Sequence, residues 1–275
     1  MSDPIIVCQD VWHIYPGEVT ALQGATLEIE QGEVLGVVGQ NGSGKTTLVK
    51  HFNGLLKPSQ GQVTINGLDS QKYQVHELAR HAGYVFQTPN HHLFATKVRT
   101  ELAFGPKNFG LSTAEIDERV VDAADFLDIH HLMEQHPYRL SFPLRKLVAM
   151  ASIYAMGPSV FVLDEPTTGQ DHRGANMVRR LVNRLRDQGK TVVIVSHDMA
   201  LMAEVTDRLV ALWSAEIIAV GKPAELFANT EVMTRTKLHP PQIFQFTQGW
   251  SAANGRTAHA LTVPQAVDAF LAAQE

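Results

Sequence analysis

The sequence predicts an α/β fold with a mixed sheet at its core, an antiparallel β subdomain and an inserted helical subdomain. Between positions 33 and 56, a short apolar run passes through glycines into a helical pattern, which indicates strand, loop and helix. Two further apolar runs, "SVFVL" and "TVVIVS", are typical of buried parallel strands, and a long helical stretch over 172–188 separates them. From about 88 to 156 the pattern is helical, which predicts the inserted subdomain.

The remaining strands are predicted in chain order from β-branched and aromatic runs and from turn residues. "IIVCQDVWHIY" and "VTALQGATLEIE", broken by Pro16-Gly17, indicate a β-hairpin or short meander. The Asn-Gly turn in "GQVTINGLD" indicates a second hairpin, and "HAGYVFQ" a short strand. "DRLVALWSAEIIAVG" is typical of a closing hairpin.

Capping signals locate the helices. Ser112 and Glu115 have capping-box spacing, and Gly157-Pro158 ends the helical region. The residues that share one face of the helix after Ser112 are Ile116, Val120, Ala124 and Leu127. We therefore predict one domain over 1–221, with its helical subdomain at about 88–156.

The tail over 222–275 has a different character. Pro240-Pro241 and "SAANGRT" predict loop, whereas "TVPQAVDAFLAA" predicts a short terminal helix with Thr262 and Gln265 at capping-box spacing. The tail is expected to be a small packing element, with a dimer contact as the alternative.

Composition excludes several classes of protein. With 275 residues, 44% hydrophobic and 19% charged, the chain is long enough for one large core or two smaller ones. The net charge is −5 and no basic stripe is evident, which argues against nucleic-acid binding. One cysteine, Cys8, rules out an internal disulfide and fits a reducing compartment. Neither a signal peptide nor a membrane-spanning run is recognised, so a cytoplasmic location is expected.

The stretch "GQNGSGKTT" matches the phosphate-loop pattern G-x-x-x-x-G-K-[ST]. Its glycines let backbone N–H groups face phosphate oxygens, Lys45 can reach the β- and γ-phosphates, and Thr46 can offer its hydroxyl to Mg²⁺. A chance glycine-rich turn is the alternative, which the preceding strand and following helix disfavour. The candidate nucleotide-binding residues here are Gly39, Asn41, Gly42, Ser43, Gly44, Lys45, Thr46 and Thr47.

The acidic pair Asp164 and Glu165 ends the run "VFVLDEP". Neighbouring strand residues point to opposite sides, so the carboxylates can have separate tasks: Asp164 towards Mg²⁺ and Glu165 towards an attacking water. A turn-capping role is the alternative, and the presence of Lys45 favours the functional interpretation.

Taken together, these motifs resemble those of ATP-binding-cassette (ABC) ATPase subunits over about residues 5–225. The resemblance implies an ABC-type P-loop NTPase core that hydrolyses ATP with Mg²⁺. Gln87 in "YVFQ" matches the Q-loop position, which contacts the Mg²⁺ and water site, and His197 in "VIVSHDM" matches the switch histidine. Asp171 in "TTGQD" matches the D-loop and could equally be the N-cap of the next helix. Tyr15 is favoured over Trp12 as the aromatic that stacks on adenine, with hairpin packing as the alternative.

One segment indicates which group of ABC ATPases the chain resembles. "FQTPNHHLFATKVRTELAFGPKNFG" is similar to the corresponding part of energy-coupling factor (ECF) ATPases, from importers of vitamins and of nickel or cobalt. The resemblance implies a second ATPase subunit and an integral membrane coupling subunit as partners, and a peripheral position on the inner face of the membrane. The histidine pairs 91–92 and 130–131 are interpreted as surface residues and not as metal ligands.

The sequence departs from the family at its signature, which reads "LSFPL" where the family has Leu-Ser-Gly-Gly-Gln. In the family this segment binds the γ-phosphate of the nucleotide held by the opposing subunit. The serine of the family motif is present here as Ser141. Phe142 brings bulk where backbone must approach closely, and Pro143 lacks an N–H donor. Each lost hydrogen bond to a charged group is worth about 1.5–3 kcal/mol. The interpretation is an asymmetric heterodimer, in which a partner with an intact signature completes this chain's active site.

Three alternatives remain open. The altered signature is tolerated and its site still turns over; the chain binds ATP as a regulatory subunit with little hydrolysis; or it is a soluble ABC ATPase without a transport role. The intact Glu165 disfavours the second, and the single cassette without a heptad run disfavours the third.

Overall fold

The computed structural model describes residues 4–254 and 259–272. Its N-terminal part is an antiparallel sheet with the order β2-β1-β4-β5. The strands are β1 (Ile6–Tyr15), β2 (Val19–Ile29), β4 (Gln60–Ile65) and β5 (Leu68–Asp69). Asn66 and Gly67 both have positive φ angles, 50° and 76°, as a hairpin turn of the predicted Asn-Gly kind requires. Both predicted hairpins are confirmed.

A second, mixed sheet of six strands has the order β10-β9-β3-β8-β7-β6. Its strands are β3 (Val34–Gly39), β6 (Ala82–Val85), β7 (Val160–Asp164), β8 (Thr191–Val195), β9 (Arg208–Trp213) and β10 (Glu216–Gly221). All pairs are parallel except the β9–β10 hairpin. Every residue of β3, β6, β7 and β8 is buried, as their apolar runs predict for strands covered on both faces.

Helices cover the mixed sheet. Helix α1 (Lys45–His51) follows β3, α2 (Val75–Leu78) precedes β6, and α6 (His172–Asp187) and α7 (Met199–Val205) connect β7 to β8 and β8 to β9. The inserted helical region contains α3 (Val98–Asn108), α4 (Thr113–Phe126) and α5 (Phe142–Met156). The predicted Ser112–Glu115 capping box is present, and α5 ends at Gly157 with a left-handed φ of 69°. The predicted α/β architecture, with an antiparallel sheet and inserted helices, is confirmed.

Two apolar cores lie on the two faces of the mixed sheet. Along β3, Val34 and Val38 enter the core shared with the inserted helices, whereas Leu35 and Val37 enter the core shared with the antiparallel sheet. This alternation is the period of two expected for a strand. Cys8 is fully buried in the second core, and burial raises the pKa of its thiol to about 12.

The tail differs from the prediction. It contains α8 (Pro223–Ala228), α9 (Thr230–Thr236), α10 (Gln242–Asn254) and α11 (Val263–Leu271). The loop prediction for "SAANGRT" is wrong over 251–254, which end α10, and residues 255–257 lie outside the described part of the chain. Phe244, a residue of α10, is fully buried, so tertiary packing stabilises a helix whose own sequence is weakly patterned. The terminal helix and its Thr262–Gln265 capping box are confirmed.

Within residues 4–254 and 259–272, no helix combines the length and the apolar character needed to cross a membrane.

Candidate active site

Three adjacent strands bring the distant motifs to one edge of the mixed sheet. Strand β8 lies between β3 and β7, and all three are parallel. Their carboxyl ends therefore lie side by side, where open α/β sheets bind ligands. From this edge, β3 leads into the phosphate-loop pattern, β7 ends at Asp164, and β8 is followed by Ser196 and His197.

The loop after β3 curls tightly over its own lysine. Gly44 has a φ of 103°, and a Cβ placed on it would lie 2.4 Å from the carbonyl oxygen of Ala21, so only glycine fits. Lys45 Nζ donates to the carbonyl oxygens of Gly39 at 2.8 Å and Gln40 at 2.7 Å. Burial lowers the pKa of Lys45, while Glu165 and Asp164 act to raise it. The lysine charge is thus held inside the loop and close to two carboxylates.

A cavity of about 510 Å³ opens beside this loop, a size usual for small-molecule sites. It brings together ten of the residues selected from the sequence. They are Tyr15, Asn41, Gly42, Gly44, Lys45, Thr46, Thr47, Gln87, Glu165 and His197. Gly39, Ser43 and Asp164 are buried next to this lining. Ser141 lines a different cavity.

Asp164 is 1% exposed and accepts two hydrogen bonds from side chains. The hydroxyl of Thr46 lies 3.4 Å from its Oδ1, and the hydroxyl of Tyr84 donates to Oδ2 at 2.7 Å. Tyr84 is not among the residues predicted from the sequence. This tyrosine reaches Asp164 because β6 pairs with β7, a pairing that no local pattern reveals.

Glu165 lies just beyond β7, with a left-handed φ of 51°. The interpretation that alternation along a strand points Asp164 and Glu165 to opposite sides is therefore wrong, because the strand ends at Asp164. The turn at Glu165 separates the two carboxylates instead. Oε1 of Glu165 lies 3.2 Å from Nε2 of His197, and the hydroxyl of Thr168 donates to Oε2 at 3.3 Å. The carboxylate is held at the cavity wall between two side chains.

Of the two aromatic candidates, Tyr15 lines the cavity. Its hydroxyl lies 3.3 Å from Oγ1 of Thr47, and its ring packs edge-on against His13, with 4.6 Å between centroids. Trp12 instead donates its indole N–H to Asp10 at 3.2 Å.

The altered signature begins α5. Ser141 is the exposed N-cap, and Pro143 occupies the second helical position, where its missing N–H breaks no intrahelical bond. A Cβ placed on Gly169 would lie 2.8 Å from the ring of Phe142, and Gln170 donates to the carbonyl oxygen of Pro143 at 3.1 Å. The bulk of Phe142 thus packs on the 167–171 loop of its own chain. Ser141 and Pro143 line a separate cavity of about 680 Å³.

Asp171 caps α6, since its side chain accepts from the amide of Gly174 at 2.8 Å. His92 lies 2.7 Å from the hydroxyl of Ser152, and His130 contacts Asp125 at 2.5 Å. In the described part of the chain, no group of three or more His, Cys, Asp or Glu side chains is arranged to hold a metal ion.

The donors at the cavity suit a hard cation bound together with phosphate. A hydroxyl and a carboxylate oxygen lie side by side at Thr46 and Asp164, and Mg²⁺ prefers oxygen ligands of this kind. The loop glycines and Lys45 supply the positive potential that phosphate requires. Fold and site together define a phosphate-loop NTPase.

Comparison with known proteins narrows this class. The ABC transporter family matches residues 13–168. The energy-coupling factor transporter ATP-binding protein EcfA of Methanoculleus marisnigri is 40% identical over 240 residues, covering 87% of each chain. A longer relative from Caldanaerobacter subterraneus subsp. tengcongensis, described as an ABC transporter ATP-binding protein, is 40% identical over 242 residues. This chain spans 42% of that relative's length.

Two solved structures are also similar. CbiO1 of Clostridium perfringens, described as part of the ABC transporter complex CbiONQ, has a TM-score of 0.75 and 33% identity over 90% of this chain and 100% of its own. The ATP-binding cassette MJ0796, as a dimer bound to ADP and phosphate after hydrolysis, has a TM-score of 0.73 and 26% identity over 79% of this chain and 98% of its own.

The chain belongs to the ABC transporter family as an ATP-binding subunit. It is an ATPase, and its relatives include the ECF-type ATPases. The family resemblance recognised from the motifs is confirmed.

Proposed function

We propose that this chain is the ATP-hydrolysing subunit of an ECF-type importer of vitamins or transition metals, and that it works in a heterodimer with a second ATPase. The relatives named EcfA and CbiO1 support the transporter type. The single observation that carries the catalytic part is the shared cavity of about 510 Å³, where Lys45, Thr46, Gln87, Glu165 and His197 meet.

In the proposed reaction, water attacks the γ-phosphorus of ATP and the β–γ phosphoanhydride bond breaks. Glu165 orients the water and accepts its proton. His197 lies 3.2 Å from the Glu165 carboxylate and contacts the γ-phosphate, so it positions both groups. Lys45 and the loop amides stabilise the charge that develops on the phosphate oxygens. Tyr15 offers a stacking face to the adenine ring.

Thr46, Asp164 and Gln87 are the residues that would hold Mg²⁺. Bound there, Mg²⁺ neutralises negative charge on the phosphates. The hydrogen bond from Tyr84 is made to Oδ2 of Asp164, and the other oxygen, Oδ1, is the one beside the hydroxyl of Thr46.

A groove beyond Gln87 supports docking of a membrane coupling subunit. It is lined by Phe86, His92, Phe94 and Phe104 among others and has a volume of about 250 Å³. Phe94 is 60% exposed and Phe104 48%, and their rings stack edge to face with 4.6 Å between centroids. Exposed aromatic pairs beside a groove are typical of protein interfaces. Phe86 of the groove and Gln87 of the cavity are consecutive residues. Movement of a docked partner would therefore displace Gln87 at the ATP site.

The signature supports an asymmetric pair. Pro143 offers no N–H at the start of α5, so this helix presents fewer donors to an opposing nucleotide than a Gly-Gly signature does. A partner with an intact signature would complete the active site built on Lys45 and Glu165. The same observation favours a second candidate function if the chain pairs with itself: an ATP-binding regulatory subunit with little hydrolysis.

The test is Glu165→Gln in the full-length chain, affinity-tagged and purified from its own cells with the subunits that accompany it. We expect ATPase activity to fall by about 10²-fold or more while ATP binding is retained. Glu204→Gln, which alters a surface pair with Arg179, is the matched control and is expected to leave the rate unchanged. An unchanged rate in Glu165→Gln would refute the catalytic assignment, and a slow rate in the unmodified complex would favour the regulatory candidate.

A further inference from the structure

Lys146 is a fully buried lysine on the second turn of α5, the helix that begins with the altered signature. Its Nζ donates to two backbone carbonyl oxygens, those of Glu165 and of Thr168, the latter at 3.2 Å. Burial lowers the pKa of Lys146 to about 8, and Glu165 and Asp164 act to raise it. A buried ammonium group is costly, so its retention at this point requires a local reason.

The backbone of Glu165 supplies that reason. Its φ of 51° is a left-handed conformation that costs a non-glycine residue of order 1–3 kcal/mol and persists only where its surroundings enforce it. The Glu165 amide donates to the carbonyl oxygen of Val195 at 2.9 Å, which ties it to β8. The Glu165 carbonyl oxygen, on the other side of the residue, accepts from Lys146. The strained peptide is therefore fixed from both ends, by the sheet and by α5.

The loop that follows Glu165 is fixed to the same helix. Lys146 contacts Thr168, Phe142 packs on Gly169, and Gln170 donates to Pro143. Thr168 in turn donates to the Glu165 carboxylate at 3.3 Å. The first three of these contacts join the first two turns of α5 to the segment 165–170. A shift of α5 would thus move the backbone that aims the Glu165 side chain.

We propose that Lys146 is a positioning residue for Glu165, which fixes its left-handed peptide and thereby couples the placement of α5 to hydrolysis in this chain's own site. The inference rests on the proposed catalytic role of Glu165. It assigns a function to a buried basic residue that follows the altered signature by two positions. Lys146 itself is not among the residues that line the cavity.

The test compares Lys146→Met with Lys146→Gln in the complex purified from its own cells through a tag on the full-length chain. The two side chains are nearly isosteric and uncharged, but only glutamine has N–H donors. We expect Lys146→Met to lower kcat by about 10- to 100-fold with KM for MgATP changed less than about 3-fold, and Lys146→Gln to recover part of that loss.

Lys57→Met is the matched control. Lys57 also bridges two backbone carbonyl oxygens, those of Ser70 and Tyr73, but in the antiparallel sheet region. It is expected to lower thermal stability without changing kcat. If Lys146→Met and Lys57→Met change stability alike and neither changes kcat, Lys146 has only a structural role and the proposal fails.

The double variant Lys146→Met/Glu165→Gln separates this proposal from the proposed function. If Lys146 acts through Glu165, its substitution adds less than about 2-fold to the loss in Glu165→Gln. A further loss in the double variant, multiplied on the loss already caused by Glu165→Gln, would overturn the positioning role and leave the catalytic role of Glu165 standing. A fully active Glu165→Gln complex would instead refute the catalytic role of Glu165. Should Lys146→Met not fold, the Lys146→Gln pair with and without Glu165→Gln gives the same comparison.

Discussion

The hydroxyl of Tyr84 donates a 2.7 Å hydrogen bond to Oδ2 of Asp164, and both side chains are almost fully buried. Residues 80 positions apart are thereby joined across two neighbouring strands. The bond is made to the proposed ligand of Mg²⁺, on the oxygen that does not face Thr46.

Tyr84→Phe is therefore expected to weaken both stability and the use of Mg²⁺. Leaving a buried carboxylate oxygen unpaired costs about 1.5–3 kcal/mol. Loss of such a supporting partner lowers metal affinity or activity about 10-fold or more. The Mg²⁺ concentration that gives half-maximal ATPase activity measures the second effect, and thermal unfolding measures the first.

Tyr154→Phe provides the comparison, since its hydroxyl donates to Asp122 at 3.0 Å, away from the cavity. It should reduce stability but leave the Mg²⁺ requirement unchanged. An equal Mg²⁺ requirement in Tyr84→Phe and the unmodified complex would show that Tyr84 is not needed to arrange Asp164.

Whether this chain forms a homodimer tests the proposal that it works in an asymmetric heterodimer. The isolated Glu165→Gln chain is expected to bind MgATP and remain monomeric, because Pro143 lacks a donor and each charge-assisted hydrogen bond is worth about 1.5–3 kcal/mol. Restoring both glycines, with Phe142→Gly and Pro143→Gly, is expected to produce an ATP-dependent dimer. Native mass with and without MgATP is the measurement.

Phe142→Gly alone is the control for this comparison, because it removes the ring and keeps the proline. A stable MgATP-dependent homodimer of Glu165→Gln with its natural signature would contradict the asymmetric arrangement.

His51 makes stability depend on pH. It is fully buried, Nδ1 lies 2.7 Å from the carbonyl oxygen of Thr47 and so carries the proton, and burial lowers its pKa to about 4. Among the described residues, Nε2 has no hydrogen-bond partner, so protonation there is unfavourable. The unfolded chain takes up a proton near pH 6.5 and the folded chain does not. Stability is therefore lost as pH falls from about 6.5 to 4, by up to about 1.4 kcal/mol per pH unit.

His51→Phe keeps an aromatic ring and removes the titration, so its unfolding free energy should fall less steeply over this pH range. Denaturant unfolding at pH 7 and pH 5 measures the difference. His131→Gln, at an exposed position, should behave like the unmodified chain. Parallel pH dependence in His51→Phe and the unmodified chain would contradict the role given to His51.

Local patterns in the sequence were enough to predict the buried strands and the phosphate loop, whereas Tyr15, Gln87 and His197 were selected through the family resemblance. The apolar runs at β3, β7 and β8 are long enough to identify buried strands, and the loop at Gly39–Thr47 carries its own spacing. Positions that depend on strand pairing or burial were not predictable. Tyr84 reaches Asp164 only through the β6–β7 pairing, and a lysine such as Lys146 is ordinarily expected at the surface.

The tail likewise contains one helix that the sequence predicts and two short helices that it does not. The capping box at Thr262 predicts α11. Helices α8 and α9 have only 6 and 7 residues, which is too short for a helix to be stable alone. Their formation depends on side chains such as Phe227 and Val232, which are buried against the main core. Short helices of this kind have no independent pattern in the sequence.

The burial of Cys8 makes this chain well suited to site-directed labelling. It is the one cysteine of the sequence, it has no exposed surface, and its thiol pKa of about 12 keeps it protonated in ordinary buffers. A fluorophore or spin label attached through Ser141→Cys, at an exposed position, would therefore report from one defined point. Approach of a second subunit to the start of α5 could then be followed in real time without first removing a native thiol.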